Sequence, residues 1–286
     1  MLVRKLSDLI GTGKEMTQTN GAARFRSVSI LTRDDECGFS ISDVLIQGGW
    51  NRNIHHKNHV GMHFVVAGQL EVRDLTRDVS WRIDPGMLYV TGPKDRHHVT
   101  CHGDAHLISL FNPALTGTER LDADGTLAPT GKVPRAWQGE LGKTMFVMQD
   151  DDANHAVLHG GPKAPWRTAT SGTVKTSLYL GPDDGCGLTI SLPRGTADSM
   201  LCYKNHVEAN YVLEGEATVE DLATGQEWEL NPGSLYVVGP RDYHRLKAQR
   251  EVYFMSVFNP PLKGGETRDA DGAYPPTGEV PRAWLA

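Results

Sequence analysis

Read for its apolar positions, the chain breaks into short runs separated by Gly and Pro. HFVVAGQLEVRDL (63–75) and YVLEGEATVEDL (211–222) are each an apolar run, a Gly turn and then alternating residues. SWRIDPGMLYV (80–90) and EWELNPGSLYV (227–237) repeat the pattern, with Pro-Gly supplying the turn ahead of a strand that carries Tyr. A period of two bounded by such turns predicts strands. No long stretch has a period of 3.6; LSDLIG (6–11) predicts at most one short helix, with Ser7 as a candidate cap. Many short strands with Gly and Pro turns predict an all-β fold, a sandwich or closed barrel.

The pattern occurs twice. KNHVGMHFVVAG (57–68) pairs with KNHVEANYVLEG (204–215) at an offset of 204 − 57 = 147. The same offset relates PGMLYVTGPKDRHH (85–98) to PGSLYVVGPRDYHR (232–245), FNPALTG (111–117) to FNPPLKG (258–264), and GKVPRAW (131–137) to GEVPRAW (278–284). Upstream, the DD pairs at 34 and 183 are 149 apart, so the copies differ by two residues in a loop before the KNH segment. The chain is therefore a tandem duplication, with repeats at 1–137 and 145–286 and a linker at 138–144. At 286 residues it has room for two domains, each able to bury its own core. The PRAW endings place Trp137 and Trp284 as structural residues packed on a barrel wall or on the other repeat.

Composition narrows the functional classes. A net charge of −6 with scattered Lys and Arg offers no basic stripe, so nucleic acid is not an expected partner. No stretch approaches the ~18 apolar residues of a membrane span, and the N-terminus has no signal-peptide core, so no membrane partner and a cytoplasmic location are expected. Of the four cysteines, Cys37 and Cys186 match between repeats while Cys101 and Cys202 do not; reduced, structural thiols are expected.

The second repeat carries Glu208, Tyr236 and His244 on or just after strands of one small barrel. One carboxylate, one phenol and one imidazole form a mixed O/N donor set that suits a transition metal with open positions. A core Tyr and a solvated His fit the same pattern.

KNHVEANYVLEGE, PGSLYVVGPRDYH and SVFNPPLKGGETRDADGAYP resemble successive motifs of the ectoine synthase family, and MLVRKLSDLIGTGKE resembles that family's start. The resemblance covers nearly all of each repeat in order and spacing. It implies a bicupin, two tandem jelly-roll barrels. It also implies a hydro-lyase that closes a ring by dehydrating an acetylated diaminobutyrate, with Fe2+ (Mn2+ or Zn2+ as substitutes) held by Glu208, Tyr236 and His244. Glu266 beside Phe258 becomes the candidate acid or base through a raised pKa, with Glu208 and Tyr236 as further catalytic groups. Phe258, Ser256, Tyr203 and His206 become the candidate substrate residues. Cys202 stands where the family has a histidine ahead of the Glu, near the metal or simply buried. Ectoine synthases are homodimers, so the duplicated chain reads as a monomeric internal pseudo-dimer or as a homodimer.

The first repeat departs at the decisive position: its counterparts are Gly61, Tyr89 and His97, and Gly supplies no ligand atom. His63 lies two residues on and faces the same side of a strand, with His55, His56 and His59 nearby, so a rebuilt His-rich site is an open alternative to an empty one. Pocket positions drift too. The family's Trp and Arg fall around Phe25 and Ser29, or Val174 and Leu178; its Thr on Val44 or Pro193; its Cys on Ser109 or Ser256. Phe111 and Glu119 match Phe258 and Glu266. Competing readings are a hydrolase or oxygenase bicupin and a non-catalytic small-molecule binder.

Overall fold

The computed structural model describes residues 1–149 and 173–285, with the short strands Ala156–Leu158 and Arg167–Thr168 between them. The fold is all-β, and apart from 3-10 turns the described helix is Leu6–Leu9, with Ser7 inside it rather than capping it. No described helix is long and apolar enough to cross a membrane.

The chain forms two compact units. In the unit built on the first repeat, an eight-stranded antiparallel sheet runs in the order Ala156–Leu158, Phe146–Gln149, Met87–Thr91, Val60–Ala67, Ala105–Asn112, Ser40–Ile46, Ala23–Leu31, Glu15–Asn20. A four-stranded sheet (Asn51–His55, Arg96–Cys101, Leu70–Asp74, Val79–Ile83) supplies the other wall. Alternation explains the core: in Leu70–Asp74 residues 70, 72 and 74 are buried and 71 and 73 exposed. Leu70, Val72 and Val99 of the small sheet meet Val44, Ile46 and Val65 of the large one.

In the second repeat the two walls are one nine-stranded sheet, because two strands run through the corner. Thr189–Leu201 spans what is two strands in the first repeat, and so does His244–Asn259. The two-residue difference between repeats lies at this corner. Pairing sets Gly195 opposite Val252 and Ala197 opposite Ala248, as Ile46 and Trp50 are set against Ala105 and Cys101. Gln47, Gly48 and Gly49 thus occupy the place of the single Thr196.

The packing units depart from the repeat boundaries. Leu2–Lys5 pairs with Ser234–Val238 and belongs with the second repeat, whereas Phe146–Gln149 pairs with Met87–Thr91 of the first. The exchange is reciprocal, since Val3 lies opposite Tyr236 and Val147 opposite Tyr89.

Each PRAW Trp packs on its own barrel. A Cβ at Gly92 would lie 2.2 Å from Trp137, and one at Gly239 would lie 2.5 Å from Trp284. Glycine is required at both places by close approach, and Trp137 is fully buried. Gly92→Val should therefore destabilise the first unit by about 1–3 kcal/mol through overpacking. Denaturant unfolding checks this; an unchanged midpoint would show that Trp137 can move aside freely.

Candidate active site

Strand Val207–Glu214 lies between Ser234–Val238 and the C-terminal half of His244–Asn259. The register sets Asn210 opposite both Tyr236 and Ser256, and Glu208 opposite Phe258. Alternate residues share a face, so Glu208, Asn210, Tyr236 and Ser256 stand together and line a cavity of about 680 Å³ with Tyr203. His244, at the head of its strand, is fully buried, with its ring 6.2 Å from that of Tyr236 and 5.8 Å from that of Tyr203. Tyr236 thus shares the cavity face with Glu208 and lies near the ring of His244, which does not itself line the cavity.

Their electrostatics fit metal binding. Burial pushes the Glu208 carboxyl up to about 7, while its hydrogen bonds and the Arg268 charge pull it down. His244 donates Nδ1–H to the Asp242 carbonyl (3.0 Å), which leaves the Nε2 lone pair buried and without a hydrogen-bond partner. This is how proteins prepare an imidazole for a metal. Among the described residues no cage of three His, Cys, Asp or Glu is formed; the set here counts two of those types, with the Tyr236 phenol as the third donor.

The KNH triplet has a different role from the one expected of His206. In the second repeat Lys204 pairs with Asp269 (3.2 Å) and Asp271, Asn205 donates to the Tyr274 carbonyl (2.7 Å), and His206 Nε2 bonds Thr277 Oγ1 (3.0 Å). In the first repeat Lys57 pairs with Asp124, Asn58 donates to the Leu127 carbonyl and His59 bonds Thr130. The triplet latches the segment that returns after the FNP motif. His206 sits behind Phe258, ring centroids 6.2 Å apart, and neither lines the cavity. Ser256 and Tyr203 do.

Glu266 also moves away from its expected role. Although burial pushes its pKa up, backbone N–H groups of its own turn outweigh that and hold it below the usual carboxylate range. Gly264 and Gly265 donate at 2.8 and 2.9 Å, Lys263 also donates, and the residue does not line the cavity. Its counterpart Glu119 ties Thr116 and Gly117 in the same way. Proximity to Phe258 in sequence suggested an apolar surrounding; the turn supplies donors instead, so the carboxyl with a raised pKa is Glu208. Cys202 Sγ contacts the Pro240 carbonyl and stays outside the cavity lining, and all four cysteines are buried thiols outside any disulfide.

Two site residues were not singled out from the sequence. Arg268 and Tyr274, delivered by the latched segment, line the cavity, with Arg268 donating to the Tyr203 hydroxyl at 3.1 Å. The signal was available: at the 147-residue offset they replace Leu121 and Leu127.

The first repeat keeps the register and changes the side chains. His63 lies opposite Tyr89 and Ser109, and Gly61 opposite Phe111. A Cβ on Gly61 would come within 2.7 Å of His63 Nε2 and 3.0 Å of His56, so imidazoles occupy the space of the missing carboxylate. The cavity, about 860 Å³, is lined by Phe25, Trp50, Val44 and Leu121 among others. His63 Nδ1 bonds Ser109 Oγ (2.9 Å) and His97 Nδ1 the Asp95 carbonyl (3.2 Å), while Nε2 of each is buried without a partner, as are both nitrogens of His56.

The sequence matches the ectoine synthase family over residues 1–130 and 169–278. The chain belongs to the ectoine synthase family. Carbon–oxygen hydro-lyase is the enzyme class that goes with it. L-ectoine synthase of Oceanobacillus iheyensis is 43% identical over 91 residues, covering 32% of this chain and 71% of that protein. The Sphingopyxis alaskensis enzyme is 41% identical over 106 residues, 36% of this chain and 77% of its own. Each relative thus corresponds to about one repeat. Across both repeats the fold is that of a bicupin: oxalate decarboxylase of Bacillus subtilis superposes with a TM-score of 0.60 over 92% of this chain and 78% of its own, at 10% identity.

The buried histidines make the fold acid-sensitive. Burial lowers His63 to about 3 and His59 and His97 to about 4, and holds His56 well below its ordinary value. The folded-state values are depressed, so their stability is present above the unfolded pKa of ~6.5 and is lost as pH falls toward 4. A loss on the order of a few kcal/mol is expected across that window, shallower in His63→Asn. Urea unfolding as a function of pH checks it, and a flat profile would contradict it.

Proposed function

We propose that the second repeat carries a metal-dependent ring closure on an N-acetylated diaminobutyrate or a closely related acylated diamino acid. The observation that supports this is the grouping of Glu208 and Tyr236 on one cavity face, with His244 near Tyr236, in a repeat of ectoine synthase sequence, where the first repeat has Gly61. These three residues would hold a divalent metal, iron ahead of manganese or zinc. When bound, it supplies Lewis-acid polarisation of the acyl carbonyl.

The chain's own groups do the rest. The cavity walls bury the reacting atoms, which strengthens every polar contact made there. Tyr203, whose pKa is pushed well above 10 by burial, keeps its hydroxyl proton and can hold an oxygen of the substrate in place. Ser256 Oγ donates to Asn210 Oδ1, which leaves the Asn210 amide group to steady the Glu208 carboxylate. Carbonyl, amine and departing water thus meet fixed polar partners within an apolar wall.

Metal content and ectoine formation from the acetylated diaminobutyrate, measured on protein purified without oxygen, test the reading together. Glu208→Ala should lose the metal and lower turnover by at least about 100-fold. Turnover retained without bound metal would overturn it.

A further inference from the structure

Besides Glu208, the second cavity holds a cation that the first lacks. In the second, Arg268 has its guanidinium 5.4 Å from the Tyr203 ring centre and 4.8 Å from that of Tyr274. Those two rings are themselves nearly parallel, 6.1 Å apart at 13°. Aromatic faces support a desolvated cation, and Arg in particular. In the first repeat all three positions are changed together: His56, Leu121 and Leu127 stand where Tyr203, Arg268 and Tyr274 stand. The cation and both its aromatic supports are present or absent as a unit.

The cation is supported by the two phenols and by the field of Glu208. Among the described residues Arg268 makes no ion pair; its polar partners are the phenols of Tyr203 and Tyr274, and the nearest carboxylate influence is Glu208. If Glu208 serves a metal, it no longer balances the guanidinium. A guanidinium never loses its proton and has five donors in a flat fork, of which the phenols use a minority. The guanidinium is half-buried and lines the cavity, so its free edge suits an anion delivered there. A carboxylate matches the fork by two parallel hydrogen bonds.

We infer that Arg268, held against both Tyr203 and Tyr274, is a specificity-determining clamp for a carboxylate of the molecule bound in the second cavity. The first cavity, with Leu121 there, takes no carboxylate. The clamp deepens the proposed function, resting on its assignment of the second cavity as the reaction site, but anion binding can be read without ring closure. Leu at this position already exists in the first repeat, so Arg268→Leu has a precedent in the same fold. Arg268→Lys keeps charge without the fork.

Propionate and propionamide, equal in shape and different in charge, are the probes, with binding to the full chain followed by ligand-observed NMR. The wild type should bind propionate in preference to propionamide. Arg268→Leu should weaken propionate roughly ten- to a hundredfold, and Arg268→Lys should recover part of it. For the acetylated diaminobutyrate, Arg268→Leu should raise KM by a similar factor while bound metal per chain stays at the wild-type level. Equal propionate binding by wild type and Arg268→Leu, or no preference over propionamide in the wild type, would overturn the clamp. Arg268-dependent propionate binding without ring closure would uphold it and overturn the ectoine reading alone.

Discussion

Everything at the site depends on the register of Val207–Glu214 against its two neighbours. Because side chains alternate, one pairing places residues 208, 210, 236 and 256 on the cavity face, and a slip by one residue would turn them all outward. The same register holds in the first repeat between residues 61, 63, 89 and 109. Duplication therefore produced two copies of one geometry, on which side-chain changes act without moving the frame. The exchanged N-terminal strands extend this frame, since each lies directly against the strand that carries the cavity Tyr.

On that common frame the two interiors solved opposite problems. A buried carboxylate such as Glu208 costs several kcal/mol unless it is neutralised, by a proton or by a cation. Its pKa near 7 shows the first tendency, and the Arg268 charge points to the second. The first repeat removes the carboxylate, and His56 and His63 fill the opening above Gly61 as neutral imidazoles. Loss of Glu208, Arg268 and both Tyr supports leaves a cavity without a cation, lined by His56 and His63 and by Leu121 and Leu127, with Gln18 and Glu119 among its polar groups.

Much of this was legible in the chain. The strand pattern and the constant 147-residue offset showed the all-β fold and its duplication, because turns and alternation are local properties. Glu208 and Tyr236 could be placed on one face from the motifs, since they lie on strands whose register the motifs preserve. Other features depended on how the chain folds back. The KNH latch is visible only when the returning segment is seen against it, so His206 looked like a substrate residue. Glu266 looked desolvated until its own turn supplied backbone donors. The strand exchange was hidden because no local pattern in Leu2–Lys5 or Phe146–Gln149 says which barrel edge each will pair with.

The central claim is that metal chemistry is confined to the second of two geometrically equivalent faces. Its most direct test compares divalent-metal stoichiometry in Tyr236→Phe and Tyr89→Phe, two identical changes at the same place in the two repeats. The account predicts one equivalent per chain in the wild type and in Tyr89→Phe, and a marked loss in Tyr236→Phe. Two equivalents in the wild type, or equal losses in both variants, would contradict it.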